Sequence, residues 1–319
     1  MNTIPSIFNQ RQVNVTVLGG KEKIPEVKIR MGVILLNRSG SHYRMQVIEN
    51  LVRIGFESIV SIEKNPDNYN IAEFSHSFPF VKFIVPLEEV TDGECINIGM
   101  SETESDFVLV LRDSLNLSSE IINPRVAGMI IEDNAFCTVP RLLKQGNVSF
   151  PIVFSPYVRK SRFEVNSSST VTEGIPTLFP FDNIAVYNRK KFIQLGGYDY
   201  TIKNRYYQNL DFSMRPWLWG EKITVSTVFN LYYLNDPPVE DASPSLDSSR
   251  FYLKNLLPHF INDHGAIKRS GFLVFLPRSS CGFFEALRQF SEARQWVWKN
   301  RYRFKIDAAF LLENWGIIK

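Results

Sequence analysis

A charged triplet, Arg112-Asp113-Ser114, directly follows five consecutive apolar residues at 107–111. An apolar run of this length, bounded by polar residues, is typical of a strand buried on both faces of a sheet. In open α/β sheets, ligands bind in the crevice beyond the carboxyl ends of the strands. The triplet is therefore the first place to look for chemistry. The alternative is that the two charges merely solvate the end of a strand.

Two further apolar runs end in polar side chains in the same way. The run at 31–36 ends in Asn37 and Arg38, and the strand predicted at 57–62 ends in Glu63. Scattered histidines, by contrast, have no spacing typical of metal ligands. The strand ends are therefore the strongest candidates in the first half of the chain.

The elements that would position these residues alternate regularly between residues 31 and 111. Apolar spacing predicts a helix after 31–36, capped by Ser41, and further strands at 57–62, 81–85 and 107–111, with helical segments between them. This order is typical of a doubly wound, mostly parallel α/β sheet flanked by helices. The alternating valines at 13–17 predict a short edge strand before it.

The second half of the chain is less regular because prolines interrupt it repeatedly. Short strands are predicted at 128–131 and 136–139, and a mobile loop at 166–170. A helix at 189–195 is stopped by Gly196-Gly197, and a helical segment at 207–219 contains Pro216, which would weaken or kink it. A polar loop at 236–249 leads into a helical, aromatic C-terminal segment.

Composition excludes several classes of protein. The 319 residues are 44% hydrophobic and 22% charged, which are ordinary globular values, and the net charge of +3 is too small to predict nucleic-acid binding. Cys95, Cys137 and Cys281 lack metal or redox spacing, which favours reduced thiols in a cytoplasmic protein. No signal peptide or membrane span is predicted. The basic and aromatic run at 296–305 predicts either peripheral contact with the inner face of a membrane or a plain helix packed on the core.

Four stretches together have a recognisable order. They are residues 33–38, residues 59–63, the Asn97-Ile98-Gly99 helix that leads into 105–111, and 189–199 followed by 209–215. In this order they resemble the family 2-like glycosyltransferases, which have the GT-A fold and use nucleotide-sugar donors. The resemblance covers roughly residues 31–235. It implies an N-terminal leader at 1–30, a GT-A-like domain at 31–235 and a C-terminal helical extension at 236–319.

The resemblance also implies roles for individual residues. Donor-binding residues would be Asn37, Arg38, Glu63, Asn97, Arg112 and Asp113. Acceptor-binding residues would be Gly196, Gly197, Gln208 and Trp217. Asp211 and Asn209 would take part in catalysis. The partners implied are a UDP- or GDP-linked sugar and a glycan or lipid-linked acceptor, with no nucleic acid.

One departure from the family concerns the metal. The family's Asp-x-Asp motif holds a divalent metal, Mn²⁺ or Mg²⁺, against the donor diphosphate, but here it aligns with Arg112-Asp113-Ser114. Three interpretations stay open: Arg112 replaces the metal by pairing with phosphate oxygens, Asp113 alone serves as a weak metal ligand, or the site has lost its activity.

The other departure concerns the general base. The family's Glu-Asp pair aligns with Gln208-Asn209, and an amide cannot take a proton at neutral pH. Asp211 or Asp199 could act instead, the enzyme could be retaining, or the two amides could only hydrogen-bond a sugar. For Asp211 the simpler alternative is a structural role near a helix N-terminus.

We therefore predict a glycosyltransferase that moves a hexose from a nucleotide sugar to an acceptor hydroxyl. The alternative from another class is a catalytically inactive relative that binds a nucleotide sugar or a glycan, or acts as a partner subunit. A nucleotidyltransferase is a further alternative, for which residues 37–41 supply only part of the expected glycine-rich loop.

Overall fold

The computed structural model describes residues 11–37, 44–64, 71–117, 120–144, 148–234, 236–279 and 281–317. Arg38 and Ser41 lie outside these ranges, so their predicted roles in donor binding and helix capping stay predictions. The strands are β1 Val15–Gly19, β2 Ile29–Leu36, β3 Phe56–Ile62, β4 Val81–Pro86, β5 Phe107–Arg112, β6 Leu115–Asn116, β7 Cys137–Leu143, β8 Val153–Arg159, β9 Arg162–Ser168, β10 Ala185–Asn188, β11 Ile223–Tyr233, β12 His259–Ile261 and β13 His264–Ala266.

The helices flank the sheet or follow it. They are α1 Arg44–Ile54, α2 Ile71–Ser77, α3 Asp92–Glu102, α4 Pro124–Asp133, α5 Arg189–Leu195, α6 Arg205–Trp219, α7 Leu246–Phe251, α8 Gly271–Phe275, α9 Phe283–Asn300 and α10 Ala308–Asn314. A single wide π-helical turn, Tyr252–Leu256, continues α7.

The central sheet has nine strands within the described residues, in the order β1-β4-β3-β2-β5-β10-β7-β11-β6. Strands β4, β3, β2 and β5 are parallel to one another, and β11 is parallel to β7. Strand β10 runs antiparallel between β5 and β7, and β1 and β6 are antiparallel edge strands. The predicted mostly parallel α/β sheet is therefore confirmed, including the edge strand near residues 13–17.

Strand β5 lies at the centre of the sheet, and all six of its residues are buried. Its register places Leu36 of β2 opposite Arg112, so the carboxyl ends of these strands lie side by side. Helix α3, which precedes β5, begins with a capping box between Thr91 and Glu94. The fold thus brings the carboxyl ends of β2, β3 and β5 and the start of α3 to the same edge of the sheet.

Two local predictions were wrong. Residues 128–131 belong to α4, because Asn123 caps the first turn and Pro124 occupies its first position, where a missing N–H costs nothing. Residues 166–168, predicted as a mobile loop, form the end of β9 and pair with β8. Pro216 lies in the last turn of α6, which ends at Gly220 in a left-handed conformation.

The C-terminal segment packs its aromatic side chains against the rest of the chain. Phe304 is buried, and the Trp296 ring lies 6.1 Å from that of Trp219. The Trp217 ring likewise lies 4.8 Å from that of Trp315. Trp296 and Phe304 therefore agree with the plain-packing interpretation of this segment, whereas Trp298 and Tyr302 are exposed. Among the helices that the structure describes, none has the length and apolar character needed to cross a bilayer.

Candidate functional site

A cleft of about 570 Å³ opens at the carboxyl edge of the sheet, beside the start of α3. We call it the donor cleft. Its lining is charged and includes more cations than acids. The residues are Arg11, Lys64, Glu89, Val90, Thr91, Asp92, Lys203, Arg205 and Gln208. Lys64 follows β3, Asp92 begins α3 and Arg205 begins α6, so three different elements supply the charges.

Asp92 connects the cleft to the triplet at the end of β5. One carboxylate oxygen of Asp92 accepts a hydrogen bond from Lys64 Nζ at 2.5 Å, and the other accepts one from Arg112 Nη2 at 2.7 Å. Burial alone would raise the pKa of Asp92, but the positive charges of Arg112 and Lys64 hold it well below its ordinary value. Asp92 is therefore an anion at neutral pH, neutralised by two cations.

Arg112 does not point freely into the cleft. Its guanidinium is almost completely buried and lies 3.1 Å from Asp182 Oδ1 as well as beside Asp92. Burial works to lower the pKa of Arg112, but these two carboxylates raise it above its ordinary value, so the charge is permanent. Arg205 reaches the same Asp182 oxygen at 3.3 Å from the cleft side.

Asp182 is positioned by an unusual piece of backbone. Asp182 and Asn183 both have left-handed φ angles, 56° and 61°, which Asp and Asn tolerate better than other non-glycine residues. Tyr233 at the end of β11 donates a 3.3 Å hydrogen bond to Asp182 Oδ2. The carboxylate is thereby fixed beneath the cleft, between Arg112 and Arg205.

Glu240 interacts electrostatically with Arg205 and Asp182 of this charge cluster. It lines a second cleft of about 560 Å³ with the aromatic residues Phe150 and Phe181. Burial raises the pKa of the Glu240 carboxyl to about 7; Asp182 acts in the same direction, and Arg205 opposes it. A carboxyl that titrates near neutrality can both take and give a proton under working conditions.

The predicted nucleotide-facing residues form a buried network. Glu63 is fully buried, and its carboxylate accepts hydrogen bonds from Asn37 Nδ2 at 3.1 Å and Ser61 Oγ at 2.7 Å, and pairs with Arg44. Asn97 holds the loop after α5, because its amide bonds both the N–H and the carbonyl of Tyr198 at 2.9 and 2.8 Å. In the structure these side chains bind neighbouring protein groups.

The predicted acceptor side contains a closed ion cluster. Asp211 is fully buried; its Oδ2 lies 3.1 Å from Arg215 and 3.0 Å from Lys254, and its Oδ1 accepts a 2.8 Å hydrogen bond from Asn255. Lys254 also bonds Asp199 at 2.8 Å. We call these five residues the Asp211 cluster. Both carboxylate oxygens of Asp211 therefore have protein partners.

The neighbouring amides are also engaged. Gln208 accepts a 3.0 Å bond from Gly93 N–H and donates to Thr91 and to the Asp199 carbonyl, which ties α6 to the start of α3 at the edge of the donor cleft. Asn209 donates a 2.7 Å bond to the Pro180 carbonyl. Of the predicted acceptor residues and catalytic candidates, only Gln208 lines the donor cleft.

The remaining predicted acceptor residues belong to turns and packing. Gly196 and Gly197 have φ angles of 86° and 67° and end α5. The indole N–H of Trp217 donates a 3.2 Å bond to the Leu178 carbonyl, and its ring is buried.

The comparison of whole structures is more informative than the comparison of sequences. No protein-family model and no curated protein matches the chain. The crystal structure of GalNAc-T7 with UDP, GalNAc and Mn²⁺ superimposes on 90% of the chain with a TM-score of 0.58 at 14% identity. The chain has the GT-A glycosyltransferase fold. It spans 58% of the GalNAc-T7 chain.

A second GT-A structure matches less closely. TarS of S. aureus in complex with UDP aligns with 82% of this chain and 70% of its own, with a TM-score of 0.49 and 13% identity. The match to GalNAc-T7 confirms the predicted GT-A fold. The more specific prediction of a family 2-like member is not tested by these structures.

The divalent metal implied by the fold does not fit the side chains at the end of β5. The first position of the triplet holds the buried Arg112, which brings positive charge where a metal would lie, and Asp113 is completely buried. No group of three or more His, Cys, Asp or Glu among the described residues could hold a metal ion. The described donor set therefore suits a cation-lined site better than a metal site.

The sequence alone did not single out Lys64, Asp92, Asp182 or Arg205. They come from four segments that are far apart in the chain, and each has an ordinary residue type. The Asp182-Asn183 pair did offer a signal, because adjacent Asp and Asn residues favour left-handed backbone. The position of Lys64, directly after Glu63 at a predicted strand end, was a second signal.

Proposed function

We propose that this protein is a glycosyltransferase that binds a nucleotide-sugar donor in the donor cleft and transfers a hexose to an acceptor hydroxyl. The observation that carries the proposal is the cluster of cations at the carboxyl edge of a GT-A sheet. Lys64, Lys203 and Arg205 line that cleft, and Arg112 lies just behind Asp92. A nucleoside diphosphate carries the complementary charge.

The cations would assist the reaction by stabilising the departing diphosphate. Bond cleavage to the sugar places negative charge on the leaving oxygen, and fixed positive charges near it lower the barrier. A UDP-linked donor is the first candidate because GalNAc-T7, which shares the fold, was crystallised with UDP; a GDP-linked donor is the second. Arg112 would act indirectly, by neutralising Asp92 so that its charge does not repel the phosphates.

Two carboxylates are candidates for taking the acceptor proton. Asp211 is implied by the family resemblance, and with Asn209 it stays a proposal, but it would first have to release Lys254 and Arg215. Glu240 interacts electrostatically with Arg205 and Asp182, and burial raises its pKa to about 7, which suits a general base better. We favour Glu240, with an acceptor glycan or lipid-linked sugar in the second cleft beside Phe150 and Phe181.

Calorimetric titration with UDP, GDP and their common sugars, with manganese and with EDTA, tests the proposal. We expect binding that is the same in manganese and in EDTA. Lys64→Ala should weaken it about 10- to 100-fold, because a hydrogen bond to a charged group is worth about 1.5–3 kcal/mol. Lys190→Ala, at an exposed lysine outside the cleft, is the matched control and should bind normally. Absence of binding to every nucleotide would refute the proposal.

The internal pairing of Arg112 and the amides at 208–209 favours a second candidate, a catalytically inactive protein that binds a nucleotide sugar or a glycan. It predicts donor binding with neither transfer nor slow hydrolysis of the sugar nucleotide. The enzyme and the inactive binding protein can be distinguished by incubating the chain with a UDP-sugar and acceptor extracts. Chromatography then measures the UDP that is released. UDP release that is lost in Glu240→Gln would favour the enzyme.

A further inference from the structure

The junction between α8 and α9 exposes a group of large apolar side chains. We call this group the α8–α9 surface. Its residues and their exposed fractions are Leu273 (73%), Val274 (49%), Phe283 (53%), Phe284 (85%) and Leu287 (45%). Single exposed apolar residues are common in proteins, but clusters of them mark interaction sites.

Packing between the two helices holds these residues together. The Phe272 ring of α8 lies 5.7 Å from that of Phe283 and 5.4 Å from that of Phe290, and Phe275 and Phe290 are buried beneath. The exposed residues of both helices are thus carried on one rigid support. The exposure does not come from a loosely attached segment.

The segment that leads into this surface is positively charged. Residues 264–284 contain three cations, Lys268, Arg269 and Arg278, and no acid. Lys268 and Arg269 are exposed just before α8. The acids that flank this segment are Asp263 and Glu285, and Glu285 forms a 2.7 Å ion pair with Arg288. An apolar patch bordered by unbalanced positive charge complements an anionic, hydrocarbon-containing surface.

Near its C-terminal end, beyond the polar residues Arg288, Ser291 and Gln295, α9 exposes a further aromatic residue on this side. Trp298 is 62% exposed and comes fourteen residues after Phe284, so it falls within about 40° of it around the helix. Arg301 lies over the rings of Trp298 and Tyr302, at 4.5 and 4.4 Å. Tryptophan and tyrosine with a nearby arginine are typical of segments at the level of lipid head groups.

We propose that the α8–α9 surface docks on an anionic membrane, with the apolar side chains inserted among the lipids and Lys268, Arg269 and Arg278 contacting the head groups. A second copy of the chain is a poorer occupant, because a two-fold interface would bring the same cations face to face. The docking itself does not depend on the proposed transfer. If the transfer is also correct, docking favours a lipid-linked acceptor over a free glycan.

Vesicle co-sedimentation of the full chain tests this proposal. The vesicles are pure phosphatidylcholine or phosphatidylcholine with about 30% phosphatidylglycerol, the second giving a negative surface potential. We expect binding to the anionic vesicles only, and its loss at about 1 M salt, where charges are screened within a few ångströms. No binding of the native chain to anionic vesicles would overturn the proposal.

Substitutions identify the surface involved. The double variant Leu273→Ser/Phe284→Ser should bind anionic vesicles at least about tenfold more weakly. The burial of one large apolar side chain alone is enough to raise affinity by about tenfold or more. Lys268→Glu/Arg269→Glu should weaken binding similarly. The matched control is Leu87→Ser, which changes an exposed leucine after β4 and should bind as the native chain does.

Two outcomes separate the alternatives. If the control and the double variant bind vesicles equally, another surface contacts the membrane and the proposal is wrong. If sedimentation equilibrium shows a dimer that Leu273→Ser/Phe284→Ser disperses, the occupant is a second copy. Calorimetry of UDP binding to the same variants should give unchanged affinity, so a failure of membrane docking is distinguishable from a failure of the proposed transferase function.

Discussion

The donor cleft and the Asp211 cluster are built from the same kinds of residue but differ in access to solvent. In the Asp211 cluster, Asp211 and Arg215 are completely buried and Lys254 is nearly so. Two carboxylates, Asp199 and Asp211, face two cations, so the charges balance. A closed and balanced cluster of this kind contributes to the structure and leaves no charge to bind a ligand.

In the donor cleft, Asp92 and Asp182 face three cations, and two of these reach the cleft. The side chains of Lys64 and Arg205 are 31% and 27% exposed, whereas Arg112 is buried behind them. These five side chains therefore form an open cluster with one cation more than acids. Arg11 and Lys203, which also line the cleft, pair with Glu94. The comparison teaches that a motif of acids and bases does not reveal by itself whether it serves stability or binding; burial and charge balance decide.

The largest loss of stability, and so the strongest test of this difference between the two clusters, is expected at Asp211. Asp211→Ala would leave Lys254 and Arg215 buried with too little negative charge, and removing one partner of a buried pair costs about 3–5 kcal/mol. Urea unfolding should show that loss, while calorimetry of the folded variant should show unchanged UDP affinity. A stable variant with weakened donor binding would place Asp211 in the donor site instead.

Arg112→Met should lower both the free energy of unfolding and the affinity for UDP, with a smaller effect on stability than Asp211→Ala. Loss of charged hydrogen bonds to Asp92 and Asp182 should lower the free energy of unfolding by about 1.5–3 kcal/mol. Because Lys64 alone would then neutralise Asp92, the affinity for UDP should also fall severalfold. Arg125→Met, at an exposed arginine of α4, is the control for both measurements. If only stability changed, Arg112 would belong with the closed type of cluster.

The smallest effect is expected at Glu240 and depends on pH. Because the pKa of Glu240 is raised to about 7 in the folded state, the folded protein binds its proton more tightly than the unfolded chain does. The group therefore costs nothing below its unfolded pKa, and stability falls as pH rises from there through about 7. Glu240→Gln should match the native protein at low pH and be more stable at pH 8. The difference should be on the order of 1 kcal/mol, because partial exposure of the side chain to solvent reduces the effect of the shift. Equal urea midpoints at pH 8 would contradict the raised pKa.

The fold could be predicted from the sequence because its signals are local. Buried strands such as β5 are continuous apolar runs, and the turn signals lie at their ends. The misassigned residues 128–131 show the limit of this reasoning: an apolar run of four residues fits a strand or a buried helix equally well. The Asn-Pro pair at 123–124 was the better guide, since both residues favour a helix start.

The site could be predicted only in part. The triplet at 112–114 led to the correct edge of the sheet, but the side chains that line the cleft come from segments whose proximity only the folded chain determines. Glu63 and Arg112 were predicted to face a donor, and in the structure their charges are satisfied internally. Pairing of this kind involves Arg44, Asp92 and Asp182, and no spacing rule connects such distant positions.

The wide turn at Tyr252–Leu256 has a consequence for how the chain can be divided. In this turn, the Leu257 N–H donates a hydrogen bond of 3.0 Å to the carbonyl of Tyr252, five residues earlier. The turn places two consecutive side chains, Lys254 and Asn255, against the carboxylate of Asp211. Part of the positive charge that neutralises Asp211 of α6 thus comes from residues beyond 236. A fragment cut at residue 235 would contain Asp199 and Asp211 without their lysine, so we expect the C-terminal extension to be an integral part of one folding unit.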